Sequence, residues 1–135
     1  MDLKLFVGTA KESKIKGVYS MNLWCAGKFL SLPVRAYTYE QGITHHRLVL
    51  FAIYDFLRIN DKKHINLTVY TENESTVFEW ENEYKKDGSF CTSTADRDLW
   101  EAIAASAKRN HISLTIKGQS NALTGISRIE KDRIG

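Results

Sequence analysis

The segment that constrains the fold most is the apolar stretch at residues 44–60, THHRLVLFAIYDFLRIN. Its apolar residues recur at helical spacing, and further apolar residues fill the gaps between them. Thr44 is a suitable N-cap for such a helix. Because a helix that is apolar on most sides is buried on most sides, we expect a central helix that packs against a β-sheet.

Strand-like segments precede this helix. Residues 3–8, 15–25 and 28–38 are rich in β-branched and aromatic residues, and Gly27 supplies a turn signal between the last two. They predict an antiparallel meander of three strands, the first of which stops at Gly8.

The rest of the chain alternates strands and helices. Residues 64–72 and 111–118 have the alternating pattern of strands, whereas 74–86 and 96–110 have the pattern of helices. The polar tail 119–135 has room for one short helix. Strand pairs separated by helices predict a mixed α/β sheet with helices on both faces.

The composition describes a single soluble domain. The chain has 135 residues, so residues 1–135 are predicted to form one domain. A net charge of +3 is too small to indicate a nucleic-acid partner by itself. No apolar run approaches the roughly 18 residues of a membrane span, and the first residues lack the features of a secretory signal. These observations predict a cytoplasmic protein without a membrane partner.

Five short segments occur in a recognisable order: THHRLVL at 44–50, TEN at 71–73, YKKDG at 84–88, DRDLW at 96–100 and IKGQ at 116–119. Together with the order of elements, they resemble the type I ribonuclease H family over nearly the whole chain. The resemblance implies an α/β ribonuclease H-like fold. Its five-stranded mixed sheet has three antiparallel and two parallel strands, flanked by helices on both faces.

The resemblance also implies a catalytic centre, but most of its ligands are missing. The family cleaves the RNA strand of RNA–DNA hybrids with two Mg²⁺ ions, which four carboxylates hold. Those four positions correspond to Gly8, Val49, Glu72 and Ile129, and Glu130 lies next to the last. Because Mg²⁺ needs hard oxygen ligands, Glu72 and Glu130 are only weak metal candidates. We therefore expect no catalytic residues and no cofactor, with Mg²⁺ bound only if some activity remains.

A chain of this kind is predicted to bind nucleic acid, either RNA or an RNA–DNA hybrid, without cleaving it. The residues that the resemblance assigns to this contact are polar or basic: Thr44, His45, His46, Arg47, Lys85, Lys86 and Lys117. Lys and Arg provide salt-dependent phosphate contacts, and polar groups can sense the 2′-hydroxyl of RNA. The basic residues also have other interpretations. Arg47 can pair with a neighbouring acid, and Lys85 and Lys86 can form a solvated helix end.

Two other functions compete with this prediction. A protein-interaction module would use the former catalytic face, which is less charged without its carboxylates and has several glutamates at residues 72–83 beside it. A residual metal-dependent ribonuclease H would still hydrolyse the RNA strand of hybrids, with relocated ligands around Glu72 and Glu130.

Overall fold

The computed structural model describes residues 1–82 and 96–119. These residues form six strands and three helices in chain order. The strands are β1 Asp2–Lys11, β2 Lys16–Cys25, β3 Lys28–Ser31, β4 Arg35–Thr38, β5 Asn66–Thr71 and β6 Ser113–Gly118. The helices are α1 His45–Ile59, α2 Glu74–Asn82 and α3 Arg97–Arg109. None of these three helices, which are those of the described residues, is long and apolar enough to cross a bilayer.

The strands form one mixed sheet in the order β3-β2-β1-β5-β6, and β4 also pairs with β2. The β1–β2 pair is antiparallel, whereas β1–β5 and β5–β6 are parallel. The third predicted strand is divided into β3 and β4, which pair with opposite ends of β2. Pro33 lies at the break, where its missing N–H and fixed φ prevent continuous strand pairing. The predicted mixed sheet of antiparallel and parallel strands is confirmed.

The first strand is longer than predicted. β1 does not stop at Gly8 but continues to Lys11, because residues 8–11 still pair with β2 in the register Gly8↔Ser20 to Lys11↔Gly17. Its pairing with β5 does end early, at Val7↔Thr71. Beyond Val7, the side of β1 that faces β5 is therefore no longer hydrogen-bonded within the ladder.

The predicted central helix is confirmed. Leu48, Leu50, Ala52 and Ile53 are all 0% exposed, and they join one core cluster with residues of the sheet and of α3. On β1, the alternate residues Leu3, Leu5 and Val7 belong to this cluster, so the described helices pack on that face of the sheet. The short helix predicted within 119–135 lies outside the described residues.

A buried polar group links α1 to β2. Asp55 is 1% exposed and accepts a hydrogen bond of 2.9 Å from the hydroxyl of Tyr19. Arg58 donates to the same carboxylate at 2.5 Å, and Nη1 of Arg35 lies 3.4 Å from it. Burial, together with the hydrogen bond to Asp55, raises the pKa of the Tyr19 hydroxyl above its ordinary value.

Candidate functional site

The candidate site lies where β1 and β5 cease to pair and α1 begins. The last paired residues are Val7 and Thr71, so this edge begins with Gly8, still within β1, and Glu72, the first residue after β5. The start of α1 joins this edge through His45, whose Nδ1 lies 2.8 Å from Oγ1 of Thr9. The fold thus brings together the sequence-predicted residues Gly8, Glu72 and His45.

Thr44 acts as the N-cap of α1. Its side chain accepts a hydrogen bond of 3.0 Å from the backbone N–H of Arg47, which satisfies one of the unpaired donors at the start of the helix. Thr44 and His45 are exposed, so the first turn of α1 presents polar groups to solvent beside the end of β1. Thr9, which completes this contact, was not predicted from the sequence, because no local pattern marks it.

Arg47 lies inside the protein rather than on this surface. It is 3% exposed, and its guanidinium donates to Asp96 at 3.0 Å and to Asp98 at 2.8 and 3.1 Å. Its Nε donates to the Tyr37 hydroxyl at 3.2 Å, and its Cζ lies 3.6 Å from the ring centroid of Tyr39. Of the two interpretations of Arg47, the pairing with neighbouring acids describes this structure.

The charges in this cluster stabilise each other. Burial alone would lower the pKa of Arg47, but hydrogen bonds with Asp98, Tyr37 and Asp96 outweigh it and raise that pKa. The same contact with Arg47 lowers the pKa of Asp98. Arg47 therefore stays charged and holds the start of α1 against the start of α3.

His46 is also internal. It is 8% exposed, with Nδ1 at 2.7 Å from Oγ1 of Thr76 and Nε2 at 2.8 Å from Oε2 of Glu79. The other oxygen of Glu79 accepts a hydrogen bond of 2.9 Å from the indole N–H of Trp100. His46 thus ties α1 to α2. In this conformation the structure brings neither His46 nor Arg47 to the predicted nucleic-acid surface.

The basic residues of the predicted contact are only partly described. Lys117 is exposed on β6, opposite Tyr70 of β5, one residue before the end of the strand. Lys85 and Lys86 lie outside the described residues, as do Ile129 and Glu130. Of the predicted contact residues, Thr44, His45 and Lys117 are therefore the ones that the structure places at the surface.

A groove that was not predicted opens beside the site, between α2 and the ends of β5 and β6. It has a volume of 710 Å³ and is lined by apolar, amide and acidic residues: Thr71, Glu72, Asn73, Glu74, Val77, Phe78, Glu81, Gly118 and Gln119. Phe78 is 62% exposed at this groove. No local pattern in the sequence marks the groove, because it depends on how α2 packs beside the ends of β5 and β6.

Comparison with known proteins identifies the architecture. No protein-family model matches the chain, and no curated protein matches it by sequence. Among solved structures, LC11-RNase H1, isolated from compost by a metagenomic approach, matches with a TM-score of 0.64. The match has 11% identity and covers 95% of this chain and 91% of that one. The chain has the ribonuclease H fold.

Two further structures support this conclusion about the ribonuclease H fold. RNase H1 from the halophilic archaeon Halobacterium salinarum NRC-1 matches with a TM-score of 0.59 and 12% identity, covering 90% of this chain and 88% of that one. LC11-RNase H1 in complex with an RNA/DNA hybrid matches with a TM-score of 0.60 and 10% identity, covering 94% and 91%. At these identities the comparison shows the fold alone.

The described residues of this ribonuclease H fold do not fit the pair of Mg²⁺ ions that the family resemblance implies. Gly8 offers no side-chain oxygen, and Val49 is 1% exposed within the apolar core. Glu72 is the one acid among the three positions that the structure describes. Residues 1–82 and 96–119 contain no group of three or more His, Cys, Asp or Glu side chains that could hold a metal ion.

Proposed function

We propose that this protein binds RNA or an RNA–DNA hybrid at the edge formed by β1, β5 and the start of α1, without hydrolysing it. The proposal depends on two positions at which the family resemblance implies a metal-binding carboxylate: residue 8 is a glycine, and residue 49 is a buried valine. Two Mg²⁺ ions repel each other unless carboxylates offset their charge, and these residues offer no carboxylate. The nucleic-acid class is supported by the hybrid complex of LC11-RNase H1, which shares the fold.

The contact itself would use the exposed polar and basic groups. Thr44 and His45 present a hydroxyl and an imidazole at the start of α1, where polar groups can reach a 2′-hydroxyl. Lys117 supplies a positive charge for phosphate, and Lys85 and Lys86 are proposed to add two more. His46 and Arg47 would act indirectly, by fixing the first turn of α1.

Fluorescence anisotropy with labelled oligonucleotides tests this proposal. Wild-type protein is titrated into an RNA–DNA hybrid, double-stranded RNA and single strands, each at two salt concentrations. We expect binding that weakens with salt, and a further loss of about tenfold in the variant His45→Ala/Lys117→Ala. Lys28→Ala, at an exposed lysine on β3 away from this edge, is the matched control and should bind as wild type does. Absence of binding at micromolar protein would reject the proposal.

The groove at Phe78 favours one alternative, a protein-interaction module. An exposed aromatic ring surrounded by Glu72, Glu74 and Glu81 suits a peptide that is both apolar and basic. Selection from a random peptide display library tests this possibility. It predicts basic, apolar sequences whose binding disappears in Phe78→Ser. Selected peptides that ignore this substitution would exclude the groove as their site.

A further inference from the structure

The opposite end of the sheet carries a second group of residues with a defined arrangement. The segments 61–64, DKKH, and 108–111, KRNH, lie just before β5 and β6. The backbone N–H of His64 donates to the carbonyl of Asn110 at 3.0 Å. The rings of His64 and His111 stack with their centroids 4.6 Å apart and their planes within 3°. The two segments are therefore held side by side.

Both histidines adopt an unfavourable backbone conformation. His64 has φ of 58° and His111 has φ of 55°, in the left-handed region that non-glycine residues rarely adopt. Such a residue costs about 1–2 kcal/mol and persists only when its surroundings hold it. For His111 the restraint is the end of α3 itself. The N–H of Ile112 donates to the carbonyl of Ala107 at 2.8 Å and the N–H of His111 to that of Lys108 at 3.3 Å, the usual helix ending with a left-handed residue. His64 is held by its hydrogen bond to Asn110 and by the stacking of its ring on that of His111.

The side chains beside the stacked pair are strongly basic. Lys62, Lys63, Lys108 and Arg109 are all exposed, and none of them forms an ion pair with any residue that the structure describes. Asp61 is the single acid within the two segments. We call these four cations, with His64 and His111, the cationic patch.

A polar groove adjoins the cationic patch. It lies between the last turns of α1 and α3, has a volume of 420 Å³ and offers Tyr54, Asn60, Ser106 and Arg109 among its lining residues. Helix C-terminal ends disfavour anions, but here backbone donors cover some of those carbonyls. The N–H of Ile112, beyond the end of α3, bonds to the carbonyl of Ala107 at 2.8 Å, for example. The groove can therefore add hydrogen bonds to a ligand that the cations attract.

We propose that the cationic patch is a second contact for the phosphate backbone of a nucleic acid. The proposal rests on the proposed function, which it extends to a separate surface. β5 runs from Asn66 to Thr71, so the patch lies about 17 Å along the strand from the first contact. A strand bound at the end of β1 would have to continue around the sheet edge to reach it. Four exposed cations that form no ion pair with residues 1–82 and 96–119 suit the phosphates of a nucleic-acid backbone.

The salt dependence of binding tests the cationic patch. The probe is a fluorescein-labelled single-stranded RNA of 20 nucleotides, titrated at several salt concentrations. For single strands, each phosphate contact contributes about 0.7 to the slope of log K against log salt. We expect the slope to become shallower by about 1.4 in Lys62→Ala/Lys63→Ala and again in Lys108→Ala/Arg109→Ala, with weaker binding in both. The control Lys4→Ala/Lys28→Ala removes the same charge from exposed positions on β1 and β3, away from the end of β1.

The outcomes separate the two contacts. A smaller slope in both patch variants, with the control unchanged, supports the cationic patch. Unchanged binding in the patch variants, with a loss in His45→Ala/Lys117→Ala, overturns the patch and leaves the proposed function standing. Equal losses in patch and control variants would indicate a general effect of net charge and also overturn it. If wild type does not bind this RNA, the patch proposal fails; if it binds no RNA–DNA hybrid either, the proposed function fails as well. Circular dichroism confirms that each variant is folded before its binding is measured.

Discussion

A substitution at position 49 tests whether the folded protein can accommodate a carboxylate at a position where the family resemblance implies a metal ligand. Val49 is 1% exposed and belongs to the core cluster, on the helix α1 that is buried against the sheet. The family resemblance places a metal-binding carboxylate at this position. In Val49→Glu, the new carboxylate would lie within the apolar core cluster, so we expect the substitution to destabilise the protein strongly.

The magnitude follows from the cost of burying an acid. A glutamate has an ordinary pKa of about 4.3, and each pKa unit corresponds to about 1.4 kcal/mol. Protonating the side chain at pH 7, so that it can be buried as a neutral group, therefore costs about 3.7 kcal/mol. The buried polar atoms add about 1–3 kcal/mol. We expect a total loss of about 5 kcal/mol, which approaches the whole stability of many domains.

Urea denaturation measures this loss, and Val49→Met is the matched control, because methionine has similar length and no charge. Overpacking by methionine should cost about 1–3 kcal/mol. Burial raises the pKa of the new glutamate, so the folded state binds more protons than the unfolded state above about pH 4.3. Between pH 7 and pH 5, the Glu variant should therefore gain about 2.7 kcal/mol relative to the Met variant. Equal stability of the two variants at pH 7 would show that position 49 can project a carboxylate to water.

Three other predictions follow from contacts described above. Arg47→Met should lower the free energy of unfolding in urea by about 2–3 kcal/mol, since the largely buried carboxylate of Asp96 would lose its ion pair with Arg47. A loss below about 0.5 kcal/mol would contradict the role of Arg47 in holding α1 against α3. Because the pKa of Tyr19 is raised in the folded state, the wild type should lose stability as pH rises above about 10. In thermal melts at alkaline pH, Tyr19→Phe should lose less stability with rising pH, and an equal dependence of melting temperature on pH in the two proteins would refute this role of Tyr19. Gly17→Ala should lower the free energy of unfolding by about 1–3 kcal/mol, because the added Cβ would lie 2.6 Å from Cδ1 of Leu48. Gly118→Ala is the control and should be tolerated, since its added Cβ would have its nearest contact at 3.7 Å. Equal stability of the two variants would contradict the close packing at Gly17.

Local patterns were sufficient for the parts of the fold that local forces determine. The periodicity of residues 44–60 and the capping side chain of Thr44 are both visible in the sequence, and α1 has the predicted extent to within a residue. The length of β1 was not predictable in this way. Gly8 is a plausible strand end by its own character, but pairing with β2 carries the strand three residues further. That pairing depends on residues 17–20, which a local pattern does not connect to Gly8. The division of the third strand did have a local signal, Pro33.

The candidate site shows the same distinction. The positions of Gly8, Val49 and Glu72 followed from short motifs, and in the structure Gly8 and Glu72 directly follow the last residues that pair between β1 and β5. The environment of Arg47 did not follow, because its partners Asp96 and Asp98 are 49 and 51 residues away. A pairing with some acid was an open interpretation, but only the packing of α1 against α3 selects these two.

We propose that this protein, which has the ribonuclease H fold, does not hydrolyse nucleic acid, because the described residues at two of the implied ligand positions, Gly8 and Val49, carry no carboxylate. The most direct measurement is cleavage of a labelled RNA–DNA hybrid by the purified full chain in Mg²⁺ and in Mn²⁺, with Glu72→Ala measured in parallel. We expect the RNA strand to remain intact with either metal, both for the wild type and for Glu72→Ala. Metal-dependent cleavage by the wild type that disappears in Glu72→Ala would contradict it.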